Sequence, residues 1–372
     1  MLTNVWRSHK ITLARCAVLG ALTACGQNTG ASIAPIAGAG STASPAPTNT
    51  PAPTNSPTAT PIATPTATPV PTPSPAPAPG AITEYTISSP GVEPEDITSG
   101  PDGALWFTER QGDKIGRITT TGTISQRTLP TAGSDPFAIA VGPDAALWFT
   151  EESGNAIGRV STTGTFAEHA LPSADSVPFG ITAGPDGALW FTQEGISYIG
   201  RITTSGSIAE YAVPTQNSGP IGIAAGSDGA LWFAEANAGK IGRISTSGTV
   251  TEYAIATPGS EPYEIAAGPD GALWFTEFGG NKIGRISTSG SLMEYPIATA
   301  NSEPFGIAAG ADGALWFTEA GGNKVGRITT AGRICEYAVP TPSSEPRGIV
   351  AGSDGALWFT EWQGDRIGRI KP

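Results

Sequence analysis

Carboxylates recur in this chain of 372 residues with a regularity that suggests a purpose. One set closes successive copies of the phrase LWFTE or its variant LWFAE: Glu109, Glu151, Glu235, Glu277, Glu319 and Glu361, with Gln193 in the remaining copy. A second set stands before a repeated proline: Glu93, Asp135, Glu261, Glu303 and Glu345, replaced by Val177 and Gly219 in two copies. Oxygen ligands converging in a concave site suit Mg2+ or Ca2+. Glu319, Glu361 and Glu345 are the candidate metal ligands. The competing reading pairs each Glu with a repeated Arg or Lys and binds nothing.

The residue after that proline reads Glu95, Phe137, Phe179, Ile221, Tyr263, Phe305 and Arg347. It is mostly apolar, and Phe278 and Trp362 add aromatics in neighbouring loops. Phe137, Phe179, Tyr263, Phe278, Phe305 and Trp362 form a candidate site for a flat or apolar ligand, rimmed by acids. Glu95, Ile221 and Arg347 break the rule of the repeat. Histidine is scarce: His9 lies near the start and His169 falls where other copies carry Tyr, which reads as a surface position. There is no Cys/His metal cluster, nucleophile elbow or phosphate loop.

These side chains need elements to position them. Gly100, Gly142, Gly184, Gly226, Gly268, Gly310 and Gly352 are each 42 residues apart, a period typical of propellers and solenoids. Each copy alternates short apolar runs with turn residues. In the sixth copy the expected strands are 305–309, 314–319, 324–329 and 333–339, with an Asp-Gly turn after the first. Seven units of four strands predict an all-β fold, a seven-bladed β-propeller of antiparallel blades. Its ends support closure. The last copy stops after its third strand, and GAITEYTIS at 80–88 matches GTVTEYAIA at 248–256 on the same 42-residue grid. The first strand is therefore expected to complete the last blade. The seven Trp, from Trp106 to Trp358, read as inter-blade core, the turn Asp residues as turn chemistry, and the Arg of each IGR as partner to a carboxylate or carbonyl. On the propeller reading, the links entering the innermost strands and the loops leaving the second strands surround the channel mouth on one face.

Three segments divide the chain. Residues 1–25 resemble a lipoprotein-type signal: Arg7, Lys10 and Arg15 precede a short apolar run and then LTAC, which marks Cys25 for lipidation. An ordinary cleaved signal is the alternative. Residues 26–79 are rich in Pro, Thr and Ala, without charge or aromatic residues, and read as a disordered tether. In polyproline II form its 45–79 stretch would reach roughly 110 Å. Residues 80–372 are the propeller. Removing the signal leaves 17 basic against 32 acidic residues, a net charge of −15. This excess argues against nucleic acid or an anionic lipid face as partner. The expected product is an exported monomer at the cell envelope or outside the cell, touching membrane only through a lipid anchor. Its partner is a small molecule, glycan or protein at the channel mouth. Cys335 is the one cysteine outside the first 25 residues, so no disulfide within the propeller is expected.

The phrases GPDGALWFTE (100–109), NKIGRISTSG (281–290) and TEYAIATPGSEPYEI (251–265) resemble the virginiamycin B lyase, or streptogramin lyase, family across essentially all of 80–372. The resemblance implies a seven-bladed propeller. It also implies a carbon–oxygen lyase that linearises streptogramin B antibiotics: a base removes a proton beside the ester carbonyl, and Mg2+ assists the elimination. The family's two catalytic histidines fall here on Phe305 and Arg347, and a family tyrosine falls on Glu95. Its glutamate two residues before the final histidine is matched by Glu345. Its metal-binding glutamate is matched by Glu361, or by Trp362 if the alignment slips by one. Carboxylates persist while the proton-transfer groups do not. The expectation is a non-catalytic binding module. The alternatives are a divergent Mg2+-dependent lyase on a lactone or cyclic depsipeptide and, more remotely, a sugar-lactone hydrolase.

Overall fold

The computed structural model describes residues 80–372. The expected signal segment, the expected tether and the expected lipidation position Cys25 lie outside the described residues. Seven four-stranded antiparallel sheets follow one another; in six of them each strand lies beside its neighbour in sequence, and in the seventh the first strand joins the last three. Blade 6 shows why the sequence folds this way. Its strands are Pro304–Ala309, Leu315–Glu319, Lys324–Ile328 and Ile334–Ala338. Small residues fill the crowded innermost strand. In the second strand, Leu315, Phe317 and Glu319 point to one face and Trp316 and Thr318 to the other. All five are buried, because each blade is covered on both faces. Gly326 lies opposite Phe317 in the register. The ring occupies that space: a Cβ at Gly326 would come within 2.1 Å of it, so only glycine fits.

The core lies between blades. Trp316 of blade 6 packs with Ile349, Leu357 and Phe359 of blade 7, and the Trp of one blade meets the Leu-Phe pair of the next elsewhere in the ring. Each Trp is also held from its own blade. The Trp316 indole donates to Asp312 Oδ1 at 3.1 Å, Arg327 Nε donates to Asp312 Oδ2 at 2.7 Å, and Tyr337 stacks on the indole at 5.6 Å. The turn Asp thus does more than turn the chain; it anchors Trp and Arg together. His169 corrects the expectation of a plain surface residue. It is half-buried and stacks on Trp148 at 5.7 Å, as Tyr does in five other blades.

The ring closes as the sequence predicts. Ile82–Thr86 pairs antiparallel with Arg366–Ile370, placing Ile82 opposite Ile370. Asp365 clamps the entry to blade 1 by accepting from the backbone N–H of Gly91 at 2.6 Å and Val92 at 3.0 Å. Cys335 lies in the outermost strand of blade 6, opposite Arg327 in the register.

One further repeated device shapes the channel. Every innermost strand shifts register after its opening proline, as between Pro304 and Ile307. The Thr of LWFTE bridges this irregularity. Thr318 Oγ1 accepts from the Gly306 N–H at 2.9 Å and donates to the Arg347 carbonyl of the next blade at 2.5 Å. Thr108, Thr150, Thr192, Thr276 and Thr360 make the same donation to the following blade. Blade 4 has Ala234 there and lacks the bridge.

Candidate functional site at the channel mouth

The innermost strands present their first residues after proline to the mouth, where the side chains meet. The Phe137 and Phe179 rings are 3.8 Å apart, Tyr263 and Phe305 are 4.2 Å apart, and Phe179 meets Tyr263 edge-on at 6.1 Å. Ile221 packs into the same cluster. Its small side chain lets blades 3 and 5 touch in front of blade 4. Phe278 leans on Tyr263 at 5.9 Å. The structure therefore brings Phe137, Phe179, Tyr263, Phe278 and Phe305 into one aromatic floor.

The two charged breaks in this ring find each other. Arg347 Nη1 donates to both oxygens of Glu95, at 2.8 and 2.6 Å. Glu95 is 1% exposed. The Arg347 guanidinium lies 3.8 Å from the Trp362 ring centre and 5.1 Å from that of Phe305, within cation–π range. Glu345 lies 3.9 Å away on the outer side. Burial raises the Glu345 carboxyl above its ordinary range, against the pull of Arg347. Two buried N–H donors in this cluster, Arg347 Nε and Trp362 Nε1, meet no acceptor.

Sequence reasoning took Phe278 and Trp362 from the position after the repeated Glu but missed the charged members of that layer and a deeper one. There Arg110 pairs with Glu152 of the next blade, and its guanidinium lies 5.4 Å from the Phe137 ring centre. One step deeper, Gly180, Gly306 and Gly348 let adjacent innermost strands approach closely, and Asp96 and Glu264 line a cavity of about 100 Å3 under the aromatic floor. Burial pushes Asp96 up to about 7, against hydrogen bonds from the Ile139 and Ile97 N–H groups. Burial, and then the charge of Asp96, push Glu264 up to about 8. Burial also drives the Tyr263 hydroxyl well above its ordinary value, with Glu95 adding to the shift. The signal was present: these positions leave the repeat rule by residue type, but the propeller had to be built before they could be placed on a wall.

The repeated Glu residues occupy a different place. Glu319 and Glu361 are fully buried, do not line the cavity, and lie within a blade beside outer-strand carboxyls. Burial and the Glu336 charge push Glu319 up to about 8; burial and the Glu84 charge do the same to Glu361. Of Glu361 and Trp362, it is Trp362 that stands at the mouth, against Arg347. Among the described residues, no three His, Cys, Asp or Glu side chains converge as a metal-ligand set.

A closed seven-bladed propeller, nearly symmetric in its core and most asymmetric around its mouth, defines the class. The family model for the virginiamycin B lyase family matches residues 76–214 and 181–372. A solved streptogramin B lyase superposes with a TM-score of 0.76 at 43% identity, over 78% of this chain and 97% of that one. Virginiamycin B lyase from Staphylococcus aureus matches at 43% identity with a TM-score of 0.75, over 78% of this chain and 99% of its own. A catalytically inactive histidine-to-alanine variant of the same enzyme, solved with Quinupristin, matches at 43% identity with a TM-score of 0.76, over 78% and 99%. The chain belongs to the virginiamycin B lyase family.

Proposed function

We propose that this propeller is a non-catalytic binding module, exported and lipid-anchored at Cys25, that takes a small molecule at its channel mouth. The carrying observation is the Arg347–Glu95 ion pair. The family resemblance places a histidine at one of these positions and a tyrosine at the other. A guanidinium remains protonated at neutral pH and cannot serve as the general base. The only histidine among the described residues is His169, stacked on Trp148 in an outermost strand. General acid–base catalysis contributes about 10²–10⁴ in rate, and its loss removes efficient turnover.

Mg2+ or Ca2+ fits the residues present poorly. Arg347 already lies between Glu95 and Glu345 and supplies the positive charge there. Glu319 and Glu361 are directed to their outer-strand neighbours instead. The retained features favour binding. The aromatic floor offers an apolar face, and Arg347 with Glu345 at its edge offers charged groups. A cyclic depsipeptide carries apolar surface for the one and polar groups for the other. The relative that lacks one histidine is described as inactive, yet its structure contains Quinupristin, so binding and turnover are separable in the family.

The second reading, a divergent Mg2+-dependent lyase, is favoured by Tyr263 beside the ion pair, although its raised hydroxyl pKa makes it a poor base. The test is to incubate the purified protein with Quinupristin and Mg2+, following binding by calorimetry and ring opening by chromatography. Saturable binding with an intact ring is expected. Clean linearisation overturns the non-catalytic reading, and absence of binding overturns the ligand class.

A further inference from the structure

Away from the mouth, each blade repeats a contact between the Glu or Gln ending its second strand and a Glu or Gln of its outermost strand. Two blades show how that contact is satisfied. In blade 1, Gln126 Nε2 donates to both oxygens of Glu109, at 2.9 and 2.7 Å. In blade 3 the amide is on the other partner, and Gln193 Nε2 donates to Glu210 Oε1 at 2.8 Å. Blades 4 and 5 carry two carboxyls instead: Glu235 with Glu252, and Glu277 with Glu294. Both oxygens of Glu235 and of Glu277 are buried and meet no donor at good hydrogen-bond geometry, the Ser218 hydroxyl being the one O–H that stands near Glu235. Two carboxylates cannot hydrogen-bond each other; a carboxylic acid and a carboxylate can.

We infer that the Glu235–Glu252 and Glu277–Glu294 contacts each hold one proton in the folded protein, doing the work of the amide in blades 1 and 3, so that the propeller's stability is set by pH. The inner member is the acid, because the outer one has other partners. Glu252 accepts from the Thr215 N–H at 3.1 Å, from Thr215 Oγ1 at 3.0 Å and from Lys240 Nζ at 3.2 Å. Lys282 Nζ lies 3.2 Å from Glu294, and Thr257 Oγ1 also bonds Glu294. Around Glu235 the facing groups are Glu252 from the outermost strand, Lys240 from the third strand, and Ser218 from the entering link. Around Glu277 they are Glu294 and Lys282. Acid, carboxylate and ammonium together are neutral, and a second deprotonation would leave an uncompensated buried charge.

The pH behaviour follows from burial. Burial, and then the neighbouring carboxylate, push Glu235 and Glu277 up to about 8. Burial acts the same way on Glu252 and Glu294, but the hydrogen bonds from Thr215 and Lys240, or Thr257, Glu277 and Lys282, outweigh it and lower them. A carboxyl raised above its unfolded value of 4.5 stabilises the fold below that value. The contribution fades as pH rises and is gone above about 8.

The full-length protein tests this through its infrared carboxylic-acid band at pH 7 and its urea unfolding from pH 5 to 9. The parent should show the band, and E235Q and E277Q should each reduce it by a similar step. Between pH 6 and 8, the parent's unfolding constant should rise relative to E235Q/E277Q by up to about 100-fold per pair. An unchanged band in the variants, or parallel pH profiles for parent and double variant, would overturn the inference. The parent's band is read without any substitution, so its absence at pH 7 also overturns it, even if a variant fails to fold.

Discussion

Replacing Arg347 with alanine should strand a carboxylate where water cannot reach it. The Glu95 side chain is 0% exposed and the Arg347 side chain 16%. Breaking a buried ion pair from one side costs about 3–5 kcal/mol, chiefly because the remaining charge is unpaired. Loss of the guanidinium's contacts with Trp362 and Phe305 adds about 0.5–2 kcal/mol. Glu95→Ala should cost less, about 1–3 kcal/mol, because Arg347 keeps an outlet to solvent and its aromatic contacts. R347A should therefore be the more damaging change, and the neutral double variant E95L/R347M should recover most of the loss. Acid should relieve R347A selectively, since protonating the stranded carboxyl removes the buried charge. Urea unfolding at pH 5 and pH 8, with slopes compared to confirm an unchanged unfolding transition, reads all three variants. The reasoning fails if R347A lies within about 1 kcal/mol of the parent at pH 8, or if E95A is the worse variant.

The threonine bridge can be cut or completed. Thr318→Val should cost about 1–3 kcal/mol by leaving the Gly306 N–H and Arg347 carbonyl without their partner, whereas Ala234→Thr should gain about 0.5–1.5 kcal/mol in blade 4. Thermal melts of both variants decide this; equal and opposite shifts are not required, but the signs are. In blade 2, His169→Tyr should raise the melting temperature slightly, by the equivalent of about 0.5–1 kcal/mol, because the larger ring covers more of Trp148.

The fold was legible because the chain states it seven times. The period, the Asp-Gly turns and the split last repeat determine blade number and closure, and the sixth-copy strands fall within a residue of expectation. The aromatic floor was legible too, since one position after proline recurs on the grid. The repeated Glu was misplaced for a physical reason. Strand alternation puts Glu319 on the face of Phe317, inside the blade, while its neighbour at the next position turns to the mouth. The ion pair escaped because Glu95 and Arg347 are 252 residues apart and become neighbours only when the ring closes. Asp96 and Glu264 depart from the Gly or Ala that the other copies carry at this position, but nothing put that position on the channel wall until the ring was built.

The closing strand also determines how the ring responds to pulling. Ile82–Thr86 lies at the outside of blade 7, held by one neighbouring strand, and the chain upstream of residue 80 leaves from it. Any load transmitted from upstream reaches the molecule at this latch, before the buried Trp seams. Lifting the strand exposes Trp358, which Tyr85 covers at 5.5 Å, and takes away the Glu84 carboxylate that accepts from Thr341. The other six blades are each covalently continuous. The weakest point under tension is therefore fixed by topology, and it lies in the same blade as Arg347.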